Sequence, residues 1–379
     1  MKINKVQPYS DASGLLDLLR FLSALTVLEL HATLKHVIPG YQAVMVFFVL
    51  SGYFVGSGVL KNVLQQSWSW SQYLINRFVR LWIVLLPSLC LTIIWVKLQN
   101  AMTDQTIHND SLKSFMINAL FLKGQFTPSF GQNGVLWSLT YEFWYYILFP
   151  PLALFLFSKS IRKRFLYFVV TVALAYFIYQ VLGPRVLKYF SIWLMGAGVA
   201  ILPRLKWESK RLNRVVMVLA SAAAIGSLWL PDALLHYTPT SNVNAEPFIP
   251  DLIIGLSYSL LIYTIISFYK NTTFLTGLTR TATFLAGFSY TLYLIHFPVF
   301  NFIRASHKDH AVPLLEHFQP SQNLRDNIVL VILMIVYAWV ISRLTEEHTP
   351  KIRRMIQKLI SYPRTVLWRV STKSEKGYD

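Results

Sequence analysis

The sequence predicts an all-α integral membrane protein with about ten transmembrane helices and both termini in the cytoplasm. Hydrophobic residues make up 54% of the 379 residues and charged residues only 14%, whereas soluble domains carry about 25% charged residues. Apolar runs of about 20 residues, the length that spans a bilayer, recur along the chain. With Cys90 as its single cysteine, the chain can form neither an internal disulfide nor a metal site built on several thiolates.

The apolar runs predict the transmembrane helices one by one. They lie near 14–33, 41–60, 79–97, 136–157, 164–182, 187–202, 213–231, 250–269, 283–303 and 327–344. The first run carries Asp17 and Arg20 and lacks a small-residue cleavage site, so we expect no cleaved signal peptide. We assign residues 1–350 to one transmembrane domain and 351–379 to a basic cytoplasmic tail, and we find no internal repeat.

The distribution of lysine and arginine predicts the orientation. With the N-terminus inside, 25 basic residues fall on the cytoplasmic side and nine on the outer side, as the positive-inside rule requires. The net charge of +18 is thus a topology signal, with a weaker role in meeting anionic lipid or an anionic cytoplasmic ligand. The lipid bilayer is therefore the expected partner of this charge, and nucleic acid is not.

The first apolar run contains "RFLSALTVLELH", residues 20–31, with ionisable groups inside the bilayer. Arg20 and His31 are eleven residues apart, which places them on one helix face about 16 Å apart. Asp17 lies one turn before Arg20 on that face. Charged groups in the hydrocarbon layer cost several kcal/mol, so this polar face predicts a lined cavity. The alternative is an Asp17–Arg20 pair that fixes helix packing and a His31 hydrated at the interface.

A second polar segment is "LWSLTYEFWYYILFPP", residues 136–151. This helix enters from outside, so Trp137, Ser138 and Glu142 fall in its outer third, with Glu142 at about the depth of His31. A carboxylate beside an imidazole holds its tautomer and raises its basicity, as a general base requires. For the tryptophan we favour an aromatic belt at the interface, and for Glu142 a function in catalysis over simple solvation.

Two further segments carry polar residues within apolar runs. In "FSYTLYLIHFPV", residues 288–299, His296 lies past mid-membrane and precedes Pro298, which bends the helix and frees backbone groups. A lone membrane histidine is more often a packing residue than a catalyst. In "FFVLSGYF", Ser51 and Gly52 indicate close helix packing, and a serine nucleophile is not expected.

The segment "NRFVRLWIVLLP", residues 76–87, places Arg77 and Arg80 on one helix face at the cytoplasmic surface. Two forked guanidinium groups suit a phosphate-rich ligand. Interfacial arginines also occur simply because positive residues stay inside. From this segment alone the two interpretations are equally supported.

Taken together, these segments resemble the membrane-bound acyltransferase type 3 family. The motifs that carry the resemblance occur in the family's order: Arg20 and His31 with ten residues between them, "FFVLSGYF", "RFVR", "WSLTYE" and "SYTLYLIHFP". The terminal "EEHTP" is similar to the family's closing pattern. Two departures are Leu18 and Leu19, where a glycine is common, and the spacing of Glu347 and Pro350, which weakens any role for Glu347.

The resemblance implies a bacterial inner-membrane enzyme that moves an acyl group, usually acetyl from acetyl-CoA, to an extracytoplasmic or lipid-linked saccharide such as O-antigen or exopolysaccharide. His31 would be the general base, supported by Glu142, with no metal ion. A transient acyl-histidine is the competing mechanism. The candidate residues for binding donor and acceptor are Asp17, Arg20, Arg77, Arg80, Trp137, Ser138, Tyr290 and His296.

A different class of function fits some of the same features. Ten helices with ionisable groups inside the membrane also describe a proton-coupled transporter or a flippase of a lipid-linked glycan. Such carriers often contain an inverted repeat, which is not apparent here. A scaffold without chemistry would explain neither the motifs nor the polar groups. We expect no esterase-like domain within the 379 residues.

Overall fold

The computed structural model describes nine stretches of the chain. These are residues 3–7, 10–33, 38–124, 128–205, 207–230, 248–269, 276–309, 311–315 and 317–361. All secondary-structure elements in these stretches are helices, and none is a β-strand. The α-helices are α1 Asp11–Thr33, α2 Gly40–Leu64, α3 Trp70–Met102, α4 Leu112–Ala119, α5 Leu136–Phe157, α6 Ile161–Leu182, α7 Pro184–Val199, α8 Lys210–Ser227, α9 Phe248–Phe268, α10 Thr276–Ala286, α11 Ser289–Lys308, α12 Leu324–Leu344 and α13 Thr349–Ser361. Short 3₁₀ helices cover Phe130–Gln132, Pro313–Leu315 and Glu346–His348.

Among the described helices, five stretches are long and apolar enough to cross a membrane by themselves. They are Gly40–Leu64, Trp70–Met102, Ile161–Leu182, Phe248–Phe268 and Leu324–Leu359. The pair α10 and α11 makes a sixth if it counts as one span. The chain therefore has the helices of a multi-pass membrane protein. The count of about ten spans stays a prediction.

The predicted span 283–303 is not one continuous helix, which corrects the sequence analysis. Helices α10 and α11 meet at an angle of 47° across Gly287 and Phe288. Glycine is among the weakest helix formers, and here its amide closes α10 on the carbonyls of Thr283 and Phe284. Helix α11 then continues through Pro298 to Lys308. Helix α11, which carries Tyr290 and His296, therefore begins at this break.

Helix α2 lies at the centre of the molecule and packs most extensively against α7. The two helices approach closely where both lack side chains. A Cβ atom added to Gly52 would lie 1.9 Å from the carbonyl oxygen of Trp193, and one added to Gly196 would lie 2.0 Å from that of Val49. The small residues of "FFVLSGYF" therefore permit close packing, as the sequence indicated.

The outward faces of three helices are strongly apolar. Phe165 of α6 is 69% exposed, Val218 of α8 65% and Leu333 of α12 57%. Large hydrophobic side chains on the outside of a helical bundle are typical of a protein whose solvent is lipid. The polar groups described below lie instead on the inner faces of the bundle.

Residues 351–379, predicted as a basic tail, begin within an ordered helix. Helix α13 starts at Thr349, follows the 3₁₀ turn Glu346–His348, and packs against α3. Residues 362–379 lie outside the described part of the chain. The last described helix thus belongs to the body of the protein, where it covers one end of α3.

Candidate active site

Five helices enclose a cavity of about 90 Å³ that collects most of the predicted site residues. Helices α1, α2, α3, α5 and α11 each contribute to its wall. The predicted residues that line it are Arg20, Arg77, Arg80, Ser138, Glu142 and Tyr290. We call this space the central cavity. Residues between positions 20 and 290 of the sequence thus meet in one cavity.

Arg20 is held in place from two sides. Its guanidinium lies 3.4 Å from the carboxylate of Asp17 and 4.9 Å from the centre of the Phe54 ring. Asp17 in turn accepts a hydrogen bond of 3.0 Å from Thr283 of α10. The Asp17–Arg20 pair therefore joins α1 to α10, as the packing interpretation expected, and Arg20 also lines the central cavity.

Arg77 and Arg80 project from one face of α3. The guanidinium of Arg77 lies 5.6 Å from the ring centres of both Tyr73 and Tyr146, and its Nε atom is buried without a hydrogen-bond partner. Among the described residues, neither arginine has a carboxylate within 4.0 Å. Two guanidinium groups without a paired carboxylate suit an anionic ligand.

A larger cavity of about 690 Å³ adjoins the central one, and we call it the basic cavity. Arg20 and Arg80 line both cavities. Arg343 and Arg353 also line the basic cavity, and the Nε atom of Arg353 is buried without a partner. Sequence analysis missed Arg353 because "KIRRM" in a predicted tail gives no sign that it folds back onto α3.

Three acidic residues line this cavity: Asp17, which the sequence analysis proposed as a binding residue, Glu346 and Glu347. Glu346 accepts a hydrogen bond of 3.0 Å from Thr291 of α11 and lines the basic cavity. Glu347 forms an exposed pair with Arg343, with 2.6 Å between nitrogen and oxygen. Sequence analysis assigned no role to Glu346, whose position depends on the 3₁₀ turn after α12.

Glu142 has partners other than the predicted one. Ser51 donates a hydrogen bond of 2.7 Å to its Oε1 atom, and Tyr146, one turn further along α5, donates to the same oxygen. The indole of Trp193 donates to Ser51 over 3.2 Å. Glu142 therefore belongs to a network that joins α2, α5 and α7, whereas the sequence analysis predicted His31 as its partner.

The partner of His31 is His296. The Nδ1 atom of His31 lies 3.0 Å from the Nε2 atom of His296, whose ring is fully buried. The Nδ1 atom of His296 lies 3.1 Å from the carbonyl oxygen of Leu292. A carbonyl only accepts, so this nitrogen donates, and Nε2 of the neutral ring accepts from His31. The arrangement leaves Nε2 of His31 without a proton.

His31 lines a third cavity of about 130 Å³, which we call the histidine cavity. Its wall also contains Arg304 and His307 of α11 and the chain between α11 and α12. The ring of Phe297 meets that of His31 edge to face at 4.9 Å. His31 thus lies at the end of α1 away from Arg20, as the eleven-residue spacing predicted.

The remaining predicted residues take different positions. Ser138 forms a hydrogen bond of 2.7 Å with the Tyr293 hydroxyl. The Tyr290 hydroxyl lies 3.4 Å from the carbonyl oxygen of Leu81. Trp137 stacks on Tyr41 with 5.8 Å between ring centres and is absent from the described walls of the three cavities. In the described residues no group of three or more His, Cys, Asp or Glu side chains could hold a metal ion.

Several bacterial proteins resemble this chain in sequence. An O-acetyltransferase of Staphylococcus aureus strain COL, so named provisionally, is 26% identical over 329 residues, which cover 80% of this chain and 53% of that protein. The chain thus spans about half the length of this relative. A Bacillus subtilis strain 168 protein, provisionally named a peptidoglycan O-acetyltransferase, is 30% identical over 155 residues, or 39% of this chain and 24% of that protein.

An uncharacterized protein of Haemophilus influenzae strain Rd is 26% identical over 223 residues, which cover 51% of this chain and 89% of that protein. No protein of solved structure matches the chain. The model of a protein family, described as an acyltransferase domain, matches residues 14–343, from α1 to the last turn of α12. This match covers most of the sequence, including every lining residue of the central and histidine cavities, and the chain therefore belongs to the acyltransferase 3 family.

Proposed function

We propose that this protein transfers an acetyl group from cytoplasmic acetyl-CoA to a hydroxyl group of an extracytoplasmic or lipid-linked saccharide, such as O-antigen or exopolysaccharide. It would act as a multi-pass protein of the bacterial inner membrane, with about ten spans and both termini inside. The observation that carries the proposal is that Arg20 and Arg80 line both the basic and the central cavity. The names of the relatives, O-acetyltransferase and peptidoglycan O-acetyltransferase, support the acetyl group and a saccharide acceptor.

The arginines of the basic cavity, together with Arg77 in the wall of the central cavity, suit the nucleotide end of the donor. Coenzyme A carries several phosphate groups, and guanidinium forks bind phosphate oxygens in pairs. Arg77 and Arg80 have no carboxylate within 4.0 Å among the described residues, and Arg353 has a buried nitrogen without a partner. A phosphate group would satisfy these donors. The flexible pantetheine arm would then extend past Arg20 along α1.

His31 is the proposed general base. Its proton-free Nε2 atom would take the proton of the acceptor hydroxyl while the hydroxyl oxygen attacks the thioester carbonyl. The carbon–sulfur bond then breaks, and the leaving thiolate takes the proton back from the imidazolium. The helix rise between Arg20 and His31, about 16 Å, is a plausible length for the extended arm. Glu142 would keep Ser51 and Tyr146 in place at the central cavity.

An acyl-histidine intermediate would use the same nitrogen. In that mechanism Nε2 attacks the thioester itself, the thiolate leaves, and the acetyl group passes from the ring to the hydroxyl in a second step. The contact between His31 and His296 leaves Nε2 available in both mechanisms. Direct transfer and the two-step path therefore assign the same residue to the reaction.

The proposal predicts that the purified protein consumes acetyl-CoA and that His31→Ala does not. Removal of the base should lower the rate of CoA release at least about a hundredfold, the smaller end of what general-base catalysis contributes. His108→Ala is the matched control, because His108 is an exposed loop histidine. A transporter or flippase would release no CoA from acetyl-CoA. Equal rates for wild type and a folded His31→Ala variant would refute the proposed mechanism.

A further inference from the structure

The histidine cavity has a positively charged wall on the side of α11. Arg304 and His307 lie three residues apart on this helix and line the cavity together with His31. Residues three apart on a helix are neighbours on one face. The other polar lining residues are Gln319, Ser321 and Gln322. In the described part of the lining there is no aspartate or glutamate.

Arg304 is fixed in position but not fully bonded. Its Nε atom donates a hydrogen bond of 3.1 Å to the carbonyl oxygen of Phe300, and its guanidinium lies 5.8 Å from the ring centre of Phe297. The same phenylalanine ring contacts His31. The Nη2 atom of Arg304 is buried and has no hydrogen-bond partner. The Nη2 end of the Arg304 guanidinium therefore has hydrogen-bond donors without acceptors. The ring of Phe297 contacts both this guanidinium and His31.

His307, like Arg304, has a buried polar atom without a hydrogen-bond partner. This atom is Nδ1, although the residue lines a cavity with several polar groups. Buried polar atoms without partners are rare in proteins because each costs free energy. Two such atoms in the wall of one cavity are groups that a ligand in this cavity can satisfy. A guanidinium next to an imidazole favours an anionic ligand.

We infer that the histidine cavity binds an anionic group of the acceptor, a carboxylate or a phosphate, and so selects an acidic or phosphorylated saccharide. This inference rests on the proposed function, because it takes His31 to face the acceptor hydroxyl. Arg304 and His307 hold the anionic group, and the hydroxyl to be acetylated lies on the same molecule near His31. The amide groups of Gln319 and Gln322 suit the neutral hydroxyls of a sugar.

A different role for Arg304 would be to stabilise the oxyanion that forms when the thioester is attacked. The two roles predict different effects on acceptor binding and on the reaction rate. A residue that binds the anionic group of the acceptor affects the affinity for charged saccharides and leaves neutral ones unaffected. A residue that stabilises the oxyanion affects the rate with every acceptor and has no effect on acceptor binding.

The test is the binding of three related sugars to the purified full-length protein, measured by isothermal titration calorimetry without any acyl donor. The methyl glycosides of glucose, glucuronic acid and glucose 6-phosphate differ only at carbon 6, which carries a neutral, a carboxylate or a phosphate group. At least one anionic sugar should bind about tenfold or more tightly than methyl glucoside, as a charge-assisted hydrogen bond would give. The tighter of the two identifies the anionic group.

Variants of Arg304 test whether this residue causes the preference for the anionic sugar. Arg304→Gln should abolish the preference for the anionic sugar, and Arg304→Lys should keep part of it because the charge remains. Arg325→Gln is the matched control, since Arg325 is exposed on α12 and does not line the cavity. Equal binding of charged and neutral sugars by the wild type, or an unchanged preference in a folded Arg304→Gln variant, would overturn the inference.

The same measurement separates this inference from the proposed reaction. His31→Ala should still prefer the anionic sugar, because the preference comes from Arg304 and His307. If the wild type prefers the anionic sugar but releases no CoA from acetyl-CoA, the anionic site stands and the proposed reaction fails. If it releases CoA in a His31-dependent way but shows no preference, the reaction stands and the anionic site is refuted.

Discussion

A histidine can act as a base only if the nitrogen that faces the substrate carries no proton. In this protein the tautomer of His31 depends on the carbonyl oxygen of Leu292, which acts through His296. This oxygen accepts from Nδ1 of His296, so Nε2 of His296 accepts from His31. The sequence placed His31 and His296 in separate helices but could not pair them, because contacts between distant helices leave no trace in the spacing of one helix.

We expect His296 to be a positioning residue for His31. In His296→Ala the Nδ1 proton of His31 loses its acceptor, the other tautomer becomes populated, and kcat should fall at least about tenfold. In His296→Gln the amide oxygen can accept in place of Nε2, and much of the rate should return. The measurement is kcat for CoA release, with protein folding checked by thermal unfolding. Equal losses in the two variants would indicate a packing role.

Glu142→Gln tests whether Glu142 also acts on His31. Glu142 contacts Ser51 and Tyr146 and not His31, so its loss should lower the rate without changing the shape of the pH–rate profile. The sequence predicted the opposite, since it made Glu142 the partner of the imidazole. A shift in the pH optimum of Glu142→Gln would restore that earlier assignment.

At the scale of helices, the close contact of α2 and α7 shapes the site. Gly52 follows Ser51 directly, and Ser51 links Trp193 of α7 to Glu142 of α5. A side chain at Gly52 would push α7 away and separate these three residues. The sequence predicted both the helices and the close contact, because long apolar runs and small residues are local signals. It missed the 47° break between α10 and α11, where Gly287 interrupts an otherwise continuous apolar run.

Gly52→Ala should therefore destabilise the protein. The added Cβ would lie 1.9 Å from the Trp193 carbonyl oxygen, and overpacking of this kind costs about 1–3 kcal/mol. Gly58→Ala is the control in the same helix, since no atom lies within 4 Å of its added Cβ, and it should be neutral or slightly stabilising. Thermal unfolding in detergent compares them. Equal stability of the two variants would contradict the close contact.

At the scale of the whole molecule, the three cavities follow the length of α1 from Arg20 to His31. Arg20 and Arg80 connect the basic and central cavities, and His31 lines the histidine cavity. The spacing within "RFLSALTVLELH" predicted the two ends of this arrangement, because both lie on one helix. Arg353 and Arg304 were not predicted, since their places depend on how α13 folds back and how α11 lies beside α1.

If Arg77 and Arg80 bind the nucleotide of the donor, replacing both by alanine should raise the donor KM far more than it lowers kcat. The nucleotide is remote from the thioester, so its contacts contribute uniform binding. Each lost charge-assisted contact should cost about tenfold or more in affinity. Acetyl-pantetheine, which lacks the nucleotide, should be used equally well by variant and wild type.

The control for this experiment is Arg162→Ala, since Arg162 is an exposed basic residue that lines none of the three cavities. It should leave both donors unaffected. Lysine at positions 77 and 80 should restore only part of the affinity, because an ammonium lacks the guanidinium fork. Equal impairment with both donors would return Arg77 and Arg80 to the role of topology signals.

The central claim is that this chain acylates a saccharide through His31, and one measurement tests it most directly. Surface and lipid-linked glycans are compared by mass spectrometry from cells that carry the wild-type gene, the His31→Ala gene or no gene, with equal protein levels in the first two. We predict a glycan heavier by one acetyl group with the wild type alone. The same acetylated glycan in His31→Ala cells, or identical glycans in all three strains, would contradict the account.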